Sequence, residues 1–313
     1  MTIAYDFDTK LLVNKQPGGM FVVRDVEACP GKTFWVGSNV TGATDSTSYG
    51  QNPGAPFATL DYAVAACTAS RGDTIYLMPG HNEGKANAQW DIDSAGVSVI
   101  GLGRGTMRPM FDFDHANASM NIGASNVSVK NIVLRSSITD VLIGIDVEAA
   151  STDTLLEDIE VIPGEDAAGA DDFAAGIELK AGCTRTIIRG FKYSNDASTA
   201  GDVSPIHMNG VSDRVLIEDF WIDATGAGLT AGIVGTGNST RTLIRNGVIT
   251  CDAEPGIECA AAHTGIISNV LVFSDLGTIA AAVVADGMAR HNVQYIEVGP
   301  ESGEVVGTPS IND

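Results

Sequence analysis

The chain has 313 residues, 44% of them hydrophobic, enough to bury a sizeable core. Its 39 acidic residues against 18 basic ones leave a formal net charge of −21, which repels phosphate backbones and argues against nucleic acid as a partner. No apolar run of about 20 residues is available to span a membrane, and the five cysteines (Cys29, Cys67, Cys183, Cys251 and Cys259) form an odd set without a C-x-x-C pair, which predicts buried, reduced thiols.

Residues 1–33 open with "MTIAYDFDTKLLVNKQPGG", acidic early and without an apolar signal core, so the chain is expected to be made in a cytoplasm. The apolar pieces "LLV" and "MFVV" flank a Gly18-Gly19 hinge and follow no repeat, which marks an N-terminal arm suited to attachment. Phe57, Leu60, Val64 and Cys67 then recur at helical spacing behind Pro56. They predict a short helix near 56–68, placed to cover an open sheet end. "DTIYLMPG" follows as a first strand.

Beyond it the chain repeats a pattern without repeating its letters. With Ile188 as anchor, equivalent apolar positions fall at Val99, Val129, Leu156, Ile217, Ile244, Ile267 and Val293, 23 to 32 residues apart. Two past the anchor stands Gly101, Asn131, Asp158, Gly190, Asp219, Asn246 or Asn269, types that accept the left-handed backbone of a sharp corner. Three past it come Leu102, Ile132, Ile159, Phe191, Phe220, Gly247, Val270 and Ile296, and five past it Leu134, Val161, Tyr193, Ile222, Ile249, Val272 and Val298. A returning strand begins near Ile145, Ile177, Ile206, Ile233, Ile257 or Val283. Gly and Asn interrupt every helical reading, so each unit is strand, corner, strand, variable loop and returning strand. Stacked at the usual strand spacing of about 4.8 Å, such coils place equivalent residues in columns and constrain only the inward letters. Each buried Ile or Val contributes roughly 1.5–3 kcal/mol, so the stack holds together although one coil alone would not.

The stretch "GAPFATLDYAVAACTASRGDTIYLMPGHNEG", continued by "VSVIGLGRG", resembles the opening of pectin-lyase-like right-handed parallel β-helix proteins. The resemblance covers residues 34–298 and implies an all-β, right-handed parallel β-helix with a short N-terminal capping helix; residues 299–313 read, from their own composition, as an acidic tail. It implies no single activity, because that fold carries lyases, hydrolases, esterases and inert virion proteins. Enzymes of the superfamily carry motif clusters that this chain lacks. "RGTMRP" offers Arg104 and Arg108 in the wrong order for a pectate-lyase-like arginine motif, and Asp171-Asp172 stands without the further motifs of a polygalacturonase-like site. Two carboxylates suffice for glycoside hydrolysis, and Asp112 and Asp114 beside His115 are the most suggestive group; a solvated face is the plainer reading. The histidines His81, His115, His207, His263 and His291 are single and show no metal spacing, so surface or loop positions are expected. Trp35, Trp90 and Trp221 are few for a glycan groove. No cofactor is expected.

Three columns carry more. Lys130, Glu157, Arg189, Glu218 and Arg245, one past the anchor, alternate in sign and predict a stabilising ladder. Arg185, Arg214 and Arg241, three before it, stack like charges, to be offset by loop carboxylates such as Asp213, the favoured reading, or by an anionic partner surface. Leu155, Ile187, Leu216, Leu243 and Ile266, immediately before the anchor, are apolar too, although neighbouring residues of a strand face opposite ways. One of these two columns must face outward. Bounded by Ser128 and Asn292 and extended past the corner by Trp221, Val248 and Leu271, the outward stripe predicts a subunit interface, with a homotrimer as the expected assembly; the competing account is that the arm or the tail folds back over the stripe. A cytoplasmically made acidic β-helix of this kind looks most like a non-enzymatic bacteriophage virion protein. A decoration (cement) protein on the major capsid protein is the first expectation, and a tailspike or other carbohydrate-active protein that binds or cleaves a host polysaccharide is the alternative.

Overall fold

The computed structural model describes residues 31–85, 88–138, 141–162, 173–194, 204–224, 231–251, 255–274 and 283–297, with three short strands before them. Those strands, Ala4–Asp6, Leu11–Lys15 and Phe21–Asp25, pair antiparallel in chain order. The Gly18-Gly19 hinge and the tail 299–313 lie outside the described residues.

From Thr33 onward the chain winds as a right-handed parallel β-helix. One continuous sheet carries the strands on both sides of the corner, and an eight-stranded sheet carries the returning strands. The register matches the apolar column of the sequence: Val99, Val129, Leu156, Ile188, Ile217, Ile244 and Ile267 are direct partners in successive parallel pairs. All seven are fully buried. Ile145, Ile177, Ile206, Ile233, Ile257 and Val283 likewise form one column, with Met120 and Trp90 below. The corner is the expected left-handed one, with φ of 56° at Asn131, 55° at Asp158, 55° at Asp219, 56° at Asn246 and 52° at Asn269. The amides there bond from coil to coil: Asn246 donates to Asp219 (3.3 Å), Asn269 to Asn246 (3.3 Å) and Asn292 to Asn269 (2.8 Å).

That last bond exposes one misplaced coil. Ile267 pairs with Arg290, and it is Val270 that pairs with Val293, so the final anchor is Arg290 rather than Val293. Ala289, not Asn292, therefore stands above Ile266. No described strand stacks on this last coil, so its inward column is free to hold an arginine stem.

At the other end, the helix runs only from Leu60 to Ala66. It starts later than its apolar spacing suggests because Phe57 is held in a bridge to Val36 and the Asp45 carboxylate takes the N–H groups of Ala58 (2.9 Å) and Thr59 (3.1 Å). Thr59 then caps the first turn. Leu60, Ala63 and Val64 are buried against the first coils, which closes that end of the stack. The helix start is tied to the coil by a buried carboxylate. Glu83 occupies the inward column below Phe111 and accepts the Trp90 Nε1–H and the Leu60 N–H, both at 2.9 Å. His81 Nε2 lies 3.4 Å from the same carboxylate.

Candidate functional site

Two histidines depart from the surface role expected of them. His81 is enclosed beside Glu83, and its Nδ1 accepts the Ser38 N–H at 3.0 Å. His263 is fully buried, with Nδ1 at 3.2 Å from the Gly237 carbonyl and Nε2 at 2.9 Å from the Thr242 hydroxyl. Burial lowers the His263 pKa and outweighs the opposing hydrogen bond to the Gly237 carbonyl. The folded protein then binds fewer protons than the unfolded chain once pH falls below the free-histidine value of about 6.5, and stability drops by up to about 1.4 kcal/mol per pH unit from this group. Urea titrations at pH 7 and pH 5.5 are expected to show this acid loss in the native protein and a smaller one in His263→Gln; equal losses would remove His263 as the cause.

Asp112, Asp114 and His115 do not converge. Asp112 points outward and is gripped by Arg135, with Nε at 2.6 Å and Nη2 at 3.0 Å. Asp114 is exposed just past its strand, and His115 accepts the N–H of Asn117 in its own turn. Asp171 and Asp172 lie outside the described residues. Cys183, Cys251 and Cys259 are buried free thiols and Cys67 is half-buried. Burial pushes Cys67 and Cys259 up to about 12 and Cys183 up to about 11, so these thiols stay protonated and unreactive. Cys29 is outside the described residues.

The outward columns are better defined. Lys130 meets Glu157 at 2.7 Å, Glu157 meets Arg189 at 3.4 Å, and Glu218 receives Arg189 and Arg245, each at 2.6 Å. Burial alone would raise the Glu218 pKa, but the hydrogen bonds from Arg245 and Arg189 prevail and hold it below the usual carboxylate range. The second arginine column is neutralised as expected, Arg185 by Asp153 and Arg241 by Asp213. It also forms a second left-handed corner, with φ of 57° at Arg185, 55° at Arg214 and 57° at Arg241. Gly96, Asn126 and Asp153 precede these arginines in the same position and were the available signal.

Of the two adjacent apolar columns, the anchor points inward. Leu155, Ile187, Leu216 and Leu243 are half-buried and Ile266 is 49% exposed, stacked as direct partners on the outer face. Past the corner Trp221, Val248 and Leu271 also stack, with Trp221 56% exposed and the other two half-buried. Below Trp221 the same column continues as Lys192, Glu160, Val133 and Met110. There it floors a groove of about 660 Å³ whose walls are the 103–108 loop and the corner residues Asn131, Asp158 and Gly190. Arg108 braces the groove: it pairs with Glu160 and donates to the carbonyls of Ile132 (2.9 Å) and Asp158 (2.5 Å). Trp90 is buried in the core, and Trp35 stacks on Tyr76 at 5.0 Å, so Trp221 alone of the three stands free on the surface. Among the described residues no cluster of His, Cys, Asp and Glu has the arrangement to hold a metal ion.

No protein-family model and no curated protein matches the sequence. Among solved structures, the chain is similar to a rhamnogalacturonan lyase (14% identity, 78% of this chain and 74% of that one, TM-score 0.47). It is also similar to a pectate lyase (14%, 82% and 78%, TM-score 0.46), and more distantly to a lacto-N-biosidase from Eubacterium ramulus (7%, 84% and 67%, TM-score 0.34). Likeness this distant assigns no activity, substrate or partner to this chain.

Proposed function

We propose that this protein is a non-enzymatic structural protein of a bacteriophage virion, a decoration-type β-helix that packs side by side as a homotrimer on the major capsid protein. One observation carries the reading: Leu155, Ile187, Leu216, Leu243 and Ile266 stack outward in unbroken register, and Trp221, Val248 and Leu271 continue the apolar surface beyond the corner. A column of five at strand spacing spans about 20 Å. Soluble monomers seldom leave so continuous an apolar stripe in water, and a closed ring of identical copies buries it on every subunit. The salt-bridge ladder running beside it supplies a polar margin. The grip of Arg135 on Asp112 supports a scaffold rather than a catalyst, because a carboxylate so engaged is poorly placed to move a proton. Light scattering on a sizing column is expected to report about three chains, falling to one in Leu216→Asp with Leu243→Asp. A native protein that stays monomeric at micromolar concentration would overturn the assembly.

A second reading, a tailspike-type protein that binds or cleaves a host polysaccharide, is favoured by exposed Trp221 beside Lys192. Turnover of surface glycans that is lost in Asp112→Asn would establish it in place of the first.

A further inference from the structure

The groove below Trp221 is cationic in a strongly acidic protein. Arg104, Arg108, Arg135 and Lys192 line it against Asp158 and Glu160. Arg108 and Arg135 are engaged by Glu160 and Asp112. Arg104 and Lys192 are exposed, and among the described residues neither side chain has an ion-pair or hydrogen-bond partner. Two free cations over an apolar floor that includes Met110 and Val133 suit an acidic segment with aliphatic side chains between its carboxylates.

The chain's own continuation has that composition. Residues 298–313 read "VGPESGEVVGTPSIND", with Glu301, Glu304 and Asp313 set among Val298, Val305, Val306 and Ile311. The last described strand, Met288–Glu297, belongs to the sheet whose outer face carries the groove, and its Gln294 stands in the groove's own column. Lys192, Trp221, Val248, Leu271 and Gln294 are successive partners, so Lys192 lies four strand steps below the end of the coil, about 19 Å at strand spacing. Six extended residues cover about 20 Å, which brings the seventh, Glu304, to Lys192, and the full segment reaches about 50 Å, far enough for Asp313 to meet Arg104. Glu297 pairs with Ser274 on the side of the face away from the corner, so this path runs beside the Trp221 stripe.

We propose that residues 298–313 turn back along their own coil and dock in this groove, Glu304 against Lys192 and Asp313 toward Arg104. The docking neutralises the two spare cations and does not depend on how copies of the chain pack together.

Carbodiimide, which joins an amine directly to a touching carboxylate, is expected to link Lys192 to Glu304 in the full chain, read by mass spectrometry. With light and heavy isotope-labelled chains mixed in equal amounts, the linked peptides are expected to carry a single label. Cleavage after Glu301 and Glu304 by a glutamate-specific protease is expected to be at least tenfold slower than in the isolated 298–313 peptide. Arg104→Glu with Lys192→Glu is expected to restore the fast rate while circular dichroism stays unchanged. Mixed-label links would make the occupant a second copy's tail and overturn the proposal as stated. Absence of the link, with cleavage as fast as in the free peptide, would overturn docking altogether, whatever the light-scattering result.

Discussion

Gly247→Val is expected to lose about 3 kcal/mol of stability, and to regain much of it when Phe220 is cut to alanine. At three past the anchor, Ile159, Phe191, Phe220 and Val270 are large and buried, and Gly247 stands out among them. The structure gives the reason: a Cβ on Gly247 would lie 2.1 Å from Phe220 ring atoms, because that ring spreads over the next coil and fills its space. Overpacking a rigid interior commonly costs about 1–3 kcal/mol, and here the obstacle is an enclosed ring with little room to retreat. Thermal or urea unfolding of the two single variants and the double variant measures the coupling directly. Simple additivity would mean that the ring and the glycine are independent, and the large-small exchange between coils would have to be abandoned.

The second large effect is expected at Glu83. Glu83→Leu removes the acceptor shared by Trp90 Nε1–H and Leu60 N–H, both enclosed, and leaves each without a partner. An orphaned buried donor costs about 1–3 kcal/mol, so the loss from the two is expected to total about 2–6 kcal/mol. Glu83→Gln keeps one acceptor oxygen and should fall between. Because coils in a solenoid stabilise only their neighbours, the damage should be local: hydrogen exchange is expected to quicken in Leu60–Ala66 and Thr74–Leu77 and not at Ile217 or Ile244. Loosening the helix also bares the strand edge beneath it, so aggregation should rise on storage. Uniformly faster exchange throughout the stack would show that Glu83 is not a local fastening.

How well residues could be placed from the sequence depended on which physical constraint acted on them. The inward columns were legible because every coil must fill the same space, and the corner was legible because few residue types accept φ near +55°. The corner proved the sounder guide. Asn292 continues the amide series through Asn246 and Asn269, whereas the apolar letters point to Val293, three residues past the true anchor Arg290, at a coil with no described neighbour above it. The second left-handed corner was missed because arginine rarely adopts that backbone, and its charge drew attention instead. The burial of His81 and His263 was equally hidden, since a lone histidine carries no sign of the Ser38 N–H that meets His81, or of the Gly237 carbonyl and Thr242 hydroxyl that meet His263, each from more than 20 residues away.

By itself, then, the sequence determined the repeat, the corner, the charge ladder and the fact that one of two adjacent apolar columns must face water, because each follows from strand parity and from residues stacked about 4.8 Å apart. Only the tertiary structure decided that Ile188 and its equivalents turn inward and Ile187 and its equivalents outward, that Arg135 holds Asp112, and that Arg104 and Lys192 share one groove. These depend on the angle at each corner and on where a loop such as 103–108 folds back over the sheet. Such positions are set by contacts between coils far apart in the chain, and no local pattern of letters encodes them.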